Sequence, residues 1–180
     1  MSEKPSIKDF ANTLCIALWL GICDLSMLVN WADSVVESDP HPSLWVIELS
    51  TAKSRDDADR AFKLVSGQGD TEWTIRMVIA LIRRAWTTGG VSSEEAASLV
   101  GAIYYSARTQ LLVGSMNEDL WSELTTPEVH YELAQKMSEE YGLERAEVRQ
   151  SFSGANETLT RMMHNHAKYD EYLCSFGWLK

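Results

Sequence analysis

The chain has 180 residues with 45% hydrophobic and 23% charged side chains, a composition typical of a globular domain and not of a disordered chain. Its formal net charge of −10 argues against general binding to nucleic acid, because neutralising phosphates requires clustered Lys and Arg. Pro and Gly are few, so we expect an all-α, compact multi-helix domain of about seven to nine helices, beginning with a helical hairpin. We expect a single helical domain over residues 1–180, with a two-lobe division near Gly89-Gly90 as the alternative.

Residues 14–23 form the longest uncharged, mostly apolar run, but they are too few for a membrane span, which needs about 20 residues. The preceding residues balance Lys against acidic side chains, and no small-residue cleavage site follows, unlike in a secretion signal. Ser6 and Asp9 suit the start of a first helix that Gly21 stops, and Asp24 suits the cap of a second helix. The run therefore predicts a tight helical hairpin in a soluble, cytoplasmic protein with no membrane contact.

Apolar residues recur at helical spacing between residues 25 and 36, which predicts an amphipathic helix. The prolines of "DPHP" at 39–42 end it, because the residue before a proline is displaced from the α region. Residues 44–49, "LWVIEL", fit either a short helix or a buried strand, and we favour the helix.

Ser54 precedes "RDDADRAFKLV", which predicts a capped helix. Opposite charges at i,i+4 spacing in this segment predict the ion pairs Arg55–Asp59 and Asp56–Arg60. The following "SGQGD" ends the helix.

Residues 71–88 are apolar around most of the helical circumference, which predicts a central helix packed by several neighbours. The glycine pair at 89–90 ends it. Ser92 followed by Glu95 is a capping box that opens a helix running to about residue 113.

The last third of the chain predicts four shorter helical segments. Residues 117–124 suggest a single turn of helix. Pro127 occupies the first position of a further helix that runs to Tyr141. A brief helix over 145–152 and a longer one over 156–176 complete the prediction.

Residues 117–147 carry nine acidic side chains against Lys136 and Arg145, a balance of −7. Such a segment is either a solvated helical surface or a surface for a basic protein partner, since opposite potentials speed encounter and help select partners. Aromatic residues near the acids favour recognition. The candidate partner-binding residues are Glu118, Asp119, Trp121, Glu128, Tyr131, Glu132, Glu139 and Glu140.

The segment "HNHAKYDEYLC" offers a second candidate site. On a regular helix His166, Asp170 and Cys174 follow one another at i,i+4 spacing and share a face, and all three side chains can bind a metal. His164 points away from His166 on such a helix, and His130 could complete the site through tertiary contact. A small helical metal- or ligand-binding protein or enzyme is therefore the alternative to an interaction protein.

The sequence contains no G-x-S-x-G elbow, no phosphate-binding glycine loop and no H-E-x-x-H motif. Cys15, Cys23 and Cys174 lie in apolar stretches, which favours buried free thiols in a reducing compartment, although a disulfide to Cys174 stays open. We therefore expect a non-enzymatic interaction module without a cofactor, for example an immunity or antitoxin-type protein. An oligomeric structural scaffold, in which Trp-rich surfaces pair with a second copy, is the third hypothesis.

Overall fold

The computed structural model describes residues 4–106, 118–141 and 146–178. These residues form nine α-helices and one 3-10 turn, and they contain no strand, so the prediction of an all-α fold is confirmed. The α-helices are α1 (Ile7–Trp19), α2 (Leu25–Ser38), α3 (Leu44–Ser50), α4 (Arg55–Lys63), α5 (Thr71–Thr87), α6 (Ser93–Ser106), α7 (Glu118–Tyr141), α8 (Ala146–Asn165) and α9 (Asp170–Ser175), and the 3-10 turn covers Ala167–Tyr169.

Backbone contacts divide the chain into two units. The first comprises Met1–Leu81 together with Lys168–Lys180, and the second comprises Ile82–Ala167. The division falls inside α5 and again just before the C-terminal segment, so the chain ends in the unit in which it began. Whether the chain folds as a single domain stays a prediction.

The hairpin at the start of the chain forms as predicted. Ser6 and Asp9 make a capping box, in which the Asp9 N–H donates to Ser6 Oγ at 3.2 Å and the Ser6 N–H donates to Asp9 Oδ2 at 2.7 Å. Gly21 ends α1 with a φ of +73°, a left-handed conformation that glycine adopts without a Cβ clash. Asp24 then caps α2 by accepting the Met27 N–H at 2.8 Å.

The apolar residues of the hairpin pack into the core of the first unit. Phe10 on α1 and Trp31 on α2 meet edge to face with ring centroids 5.4 Å apart, and this contact joins the two helices. Within the described residues, none of the helices has both the length and the apolarity to cross a membrane.

Residues 44–50 are helical, which confirms the favoured interpretation of the ambiguous segment. The ion pairs predicted in α4 are wrong. Asp57 forms the pair with Arg60, while Asp59 accepts the Trp19 indole N–H from α1 at 3.3 Å. Sequence spacing could not show this, because the partner of Asp59 lies on another helix.

Aromatic rings pack against one another in the first unit, and the C-terminal segment contributes several of them. Phe176 stacks on Phe10 with centroids 4.4 Å apart, and its carbonyl accepts the Trp31 indole N–H at 3.3 Å. An aromatic ring pair stabilises a fold by about 0.5–1.5 kcal/mol beyond the contribution of its buried area. The rings are Phe10, Trp31, Trp45, Phe62, Trp73, Tyr169, Tyr172, Phe176 and Trp178.

The Asp9 side chain is 1% exposed and joins the starts of two helices. One carboxylate oxygen accepts from Ser6, and the other accepts the backbone N–H of Asp70. Asp70 in turn caps α5, because its Oδ1 accepts the Glu72 N–H at 2.9 Å. A Cβ at Gly69 would lie 2.7 Å from the Asn12 amide nitrogen, so a larger residue at this position would displace the Asn12 side chain.

In the second unit, α7 packs against both α6 and α8. The capping box of α6 is confirmed: the Ser92 N–H donates to Glu95 Oε2 at 2.7 Å and the Glu95 N–H donates to Ser92 Oγ at 3.1 Å. The described part of α6 ends at Ser106, so its predicted extension to about residue 113 lies outside the described residues.

The prediction of a break before Pro127 is wrong, because α7 is one helix with Pro127 inside it. A proline in a helix removes one backbone hydrogen bond and crowds the preceding turn. Pro127 is buried on the same face as Tyr131 and Ala134, which pack into the unit. Tertiary packing therefore offsets the local cost, whereas the predicted end at Tyr141 is confirmed.

The boundaries predicted for the last helices are also wrong. Residues 146–165 form a single helix that passes through Gly154, and the chain then leaves the α-helix at His166 before α9 begins at Asp170. Ala155 and Leu159 are fully buried on α8. Burial of that face outweighs the weak helix propensity of Gly154.

Replacing Asp9 tests the junction between α1 and α5. We expect Asp9→Ala to lower the free energy of unfolding by about 2–4 kcal/mol, because it removes a helix cap and leaves the N–H groups of Ser6 and Asp70 without this acceptor. Asp24→Ala removes an exposed cap from one helix only and should cost less. Urea unfolding followed by circular dichroism measures both, and an equal or smaller loss for Asp9→Ala would contradict this role.

Two glycines of the second unit allow the effect of backbone conformation on stability to be measured without a change in packing. A Cβ added at Gly154 or at Gly89 would meet nothing within 4 Å, but Gly89 has a φ of +77° whereas Gly154 lies inside α8. We expect Gly154→Ala to stabilise by about 0.5–1 kcal/mol and Gly89→Ala to destabilise by about 1 kcal/mol. The same urea titration checks both signs. Destabilisation by Gly154→Ala would mean that the space beside it is occupied.

Candidate functional site

The exposed side of α7 combines apolar and acidic side chains, and we call it the α7 acidic face. Val129 and Leu133 are 45% and 55% exposed and lie one helical turn apart. Tyr131 and Ala134 lie on the opposite side of the helix and are buried. The residues of the α7 acidic face are Val129, Glu132, Leu133, Lys136, Glu139 and Glu140, and all six are exposed.

The α7 acidic face has the chemistry of a protein-binding surface. Its three carboxylates and one ammonium group give a local charge of −2. Among the side chains of the second unit that the structure describes, Val129 and Leu133 are the large apolar ones left exposed. An apolar centre within a polar rim is the usual anatomy of an interface.

Only some of the predicted partner-binding residues are seen to lie on the exposed side of α7. Glu132, Glu139 and Glu140 lie together on the α7 acidic face, as a surface for a partner requires. Tyr131 is only 7% exposed and lies on the packed side of α7. The side chains of Glu118, Asp119, Trp121 and Glu128 lie outside the part of the structure that is described, although their backbone belongs to α7.

Tyr131 instead fixes the orientation of α7. Its hydroxyl donates to Asn156 Oδ1 on α8 and lies close to Ser93, at the start of α6. Ser93 Oγ accepts the Trp86 indole N–H at 3.1 Å. Burial raises the pKa of Tyr131 above its usual value, so the phenol stays protonated and donates. These contacts could not be predicted from the sequence, because Tyr131, Asn156 and Ser93 are far apart along the chain.

The residues of the metal hypothesis do not form the predicted helical array. His166 follows the last residue of α8, Asp170 begins α9, and a 3-10 turn separates them, so the i,i+4 spacing is not that of one helix. Cys174 is exposed, and it belongs with Asp170 to the first unit, whereas His166 belongs to the second. Within the described residues, no group of three or more His, Cys, Asp or Glu side chains could hold a metal ion.

The histidines of the second unit have local partners. His166 is fully buried, with Nδ1 2.9 Å from the Met162 carbonyl oxygen within the same stretch of chain. His130 is exposed, and its Nδ1 lies 3.3 Å from Thr158 Oγ1 on α8. His164 is exposed on α8. These contacts account for His166 and His130 as structural groups.

The cysteines are free thiols, which answers the question that the sequence left open. Burial, reinforced by the Asp59 carboxylate 3.7 Å from the sulfur, raises the pKa of Cys15 to about 11. Burial and the neighbouring Asp24 raise the pKa of Cys23 to about 12. Since the thiolate is the nucleophile and the metal ligand, neither side chain suits those roles at neutral pH.

Comparison with known proteins gives no match: no family model, no curated protein and no solved structure is similar to this chain. The α7 acidic face therefore has to be interpreted from its own chemistry. It brings together three of the predicted acidic residues and two apolar residues that the sequence analysis did not single out. Their spacing of one helical turn on an otherwise polar surface is the signal that could have found them.

Thiol labelling tests the environments of the cysteines. We expect Cys174 to react with a maleimide first at neutral pH, because it is exposed while Cys15 and Cys23 are held protonated. Mass spectrometry of the labelled protein follows the order of reaction. Cys174→Ser should remove the fast phase and Cys15→Ser should leave it; a fast phase that survives in Cys174→Ser would contradict this assignment.

Proposed function

We propose that this protein is a soluble, cytoplasmic, non-enzymatic interaction module that binds a basic protein partner through the α7 acidic face. The observation that carries the proposal is the exposure of Glu132, Glu139 and Glu140 on the same side of one helix as the apolar pair Val129 and Leu133. An immunity or antitoxin-type protein, which neutralises a basic toxin, is a concrete instance of this function.

Charge supports a basic partner and disfavours nucleic acid. The whole chain has a formal charge of −10, and the α7 acidic face contributes −2 to it. An acidic surface attracts a basic protein and raises the rate of encounter, whereas it repels phosphate backbones. Carboxylates at the rim of an interface select the partner more than they add affinity.

The packing of α7 against its neighbours supports a surface that is ordered before a partner binds. Tyr131 bonds to Asn156 on α8, α7 packs against both α6 and α8, and Ala134 is fully buried, so the backbone that carries the exposed side chains is held in place on its buried side. A surface that is ordered before binding loses less conformational entropy when the partner arrives. Affinity can then come from a modest number of contacts.

The same charges disfavour pairing of two α7 acidic faces. In a symmetric dimer each residue of the surface meets the surface of an identical copy, so the glutamates of both copies would be brought together. Opposed carboxylates repel, and the repulsion is stronger where water is excluded. A homo-oligomer built on another surface stays a separate hypothesis.

Charge reversal tests the proposed function. We expect Glu132→Lys, Glu139→Lys and Glu140→Lys together to abolish capture of a basic protein from native lysate, because attraction becomes repulsion at the rim. The matched control is Asp33→Lys, Glu37→Lys and Glu48→Lys, which changes the net charge equally at exposed positions of α2 and α3.

Affinity capture followed by mass spectrometry compares the three proteins, and circular dichroism confirms that all of them keep their helix content. The wild type and the control should retain the same basic protein. If the α7 variant retains it as well, or if the captured protein is acidic, the proposal is wrong.

A further inference from the structure

The outer seam between α7 and α8 has open space at one glycine, beside the α7 acidic face. His130 approaches Thr158 at 3.3 Å, and Met137 accepts from Ser151 at 3.3 Å, so the two helices run antiparallel and touch at both places. Leu133 lies between His130 and Met137 on one helix, and Gly154 lies between Ser151 and Thr158 on the other. Leu133 therefore stands level with Gly154.

Open space lies above Gly154. A Cβ built at this residue would meet no atom within 4 Å, although the flanking positions of the seam carry side chains in contact. The neighbouring Leu133 is 55% exposed, and Val129 continues the apolar surface one turn earlier. The seam thus has open space at Gly154, which we call the recess, beside the exposed apolar side chains of Leu133 and Val129.

We infer that the basic partner docks an amphipathic helix along this seam, placing one apolar side chain over Gly154 against Leu133 and its Lys or Arg residues against Glu132, Glu139 and Glu140. The inference rests on the proposed function and specifies the partner's binding element. Helices pack by placing the side chains of one into the grooves of another, and the two parts of the surface match the two faces of a basic amphipathic helix. Charge complementarity selects this occupant over a second copy of the chain.

The apolar part of the site can be altered without disturbing the fold. Gly154→Leu fills the recess, and the absence of atoms near its Cβ gives the new side chain room within α8. Leu133→Ser removes the exposed apolar side chain beside it. Leu44→Ser is the matched control, since Leu44 is 61% exposed on α3 in the first unit.

The probe is a synthetic Leu/Lys amphipathic helical peptide of about 18 residues, long enough to be helical when bound. An unstructured lysine-rich peptide of equal charge, in which Ser replaces Leu, serves as the comparison. Fluorescence anisotropy at physiological salt measures the affinity of both peptides. We expect Gly154→Leu and Leu133→Ser each to weaken binding of the amphipathic peptide about tenfold, as for central interface residues, while Leu44→Ser leaves it unchanged.

The outcomes separate this inference from the proposed function. Equal binding of both peptides, unaffected by Gly154→Leu and Leu133→Ser, overturns the inference while the basic-partner function stands. Binding of neither peptide also overturns it, and loss of lysate capture on charge reversal then still supports the function. Amphipathic binding that survives reversal of Glu132, Glu139 and Glu140 overturns both. Dimerisation in light scattering that Leu133→Ser abolishes would assign the seam to a second copy instead.

Discussion

The buried carboxylate of Asp9 holds the starts of α1 and α5 together, and the first unit is arranged around that junction. One oxygen completes the capping box with Ser6, and the other receives the N–H of Asp70, which itself caps α5. A charged or polar group with 1% exposure is costly unless donors surround it. Because these donors belong to two helix starts, the position of one helix constrains the position of the other. Gly69 lies at the same junction, and a Cβ there would displace the Asn12 side chain.

The aromatic core of the first unit depends on this arrangement. Phe10 follows Asp9 directly on α1, and it meets Trp31 from α2 and Phe176 from the C-terminal segment. Residues nearly the whole chain apart therefore share one cluster. The apolar run of residues 14–23 resembles part of a membrane segment in the sequence. Because of such contacts, it forms the packed side of the helical hairpin instead.

In the second unit, the burial of one side of α7 determines which of its residues are exposed on the other side. Tyr131 bonds to Asn156 on α8 with a phenol whose pKa is raised by burial, and together with the buried Ala134 it marks the packed side of the helix. Val129, Leu133 and the glutamates are exposed as a consequence. The buried thiols are held protonated by raised pKa values, and His166 and His130 have local bonding partners. Surface recognition by the exposed side of α7 stays a proposal.

The sequence by itself determined the features that depend on neighbours along the chain. The caps at Ser6, Asp24 and Ser92 and the stop at Gly21 follow from local hydrogen bonding and backbone geometry. Residues 44–50 fitted either a helix or a strand in the sequence, and the structure decided for the helix. The acidic character of α7 is likewise fixed by composition, which is why three of the predicted glutamates do lie on its exposed side.

Only the tertiary structure decided what depends on distant partners. Pro127 and Gly154 remain inside long helices because burial of Tyr131, Ala155 and their neighbours outweighs a local preference of a few kcal/mol at most. Asp59 bonds to Trp19 instead of Arg55 because α1 lies beside α4. Tyr131 belongs to the core and Leu133 to the surface for the same reason: periodicity reveals that a helix has two sides, but packing determines which side is covered.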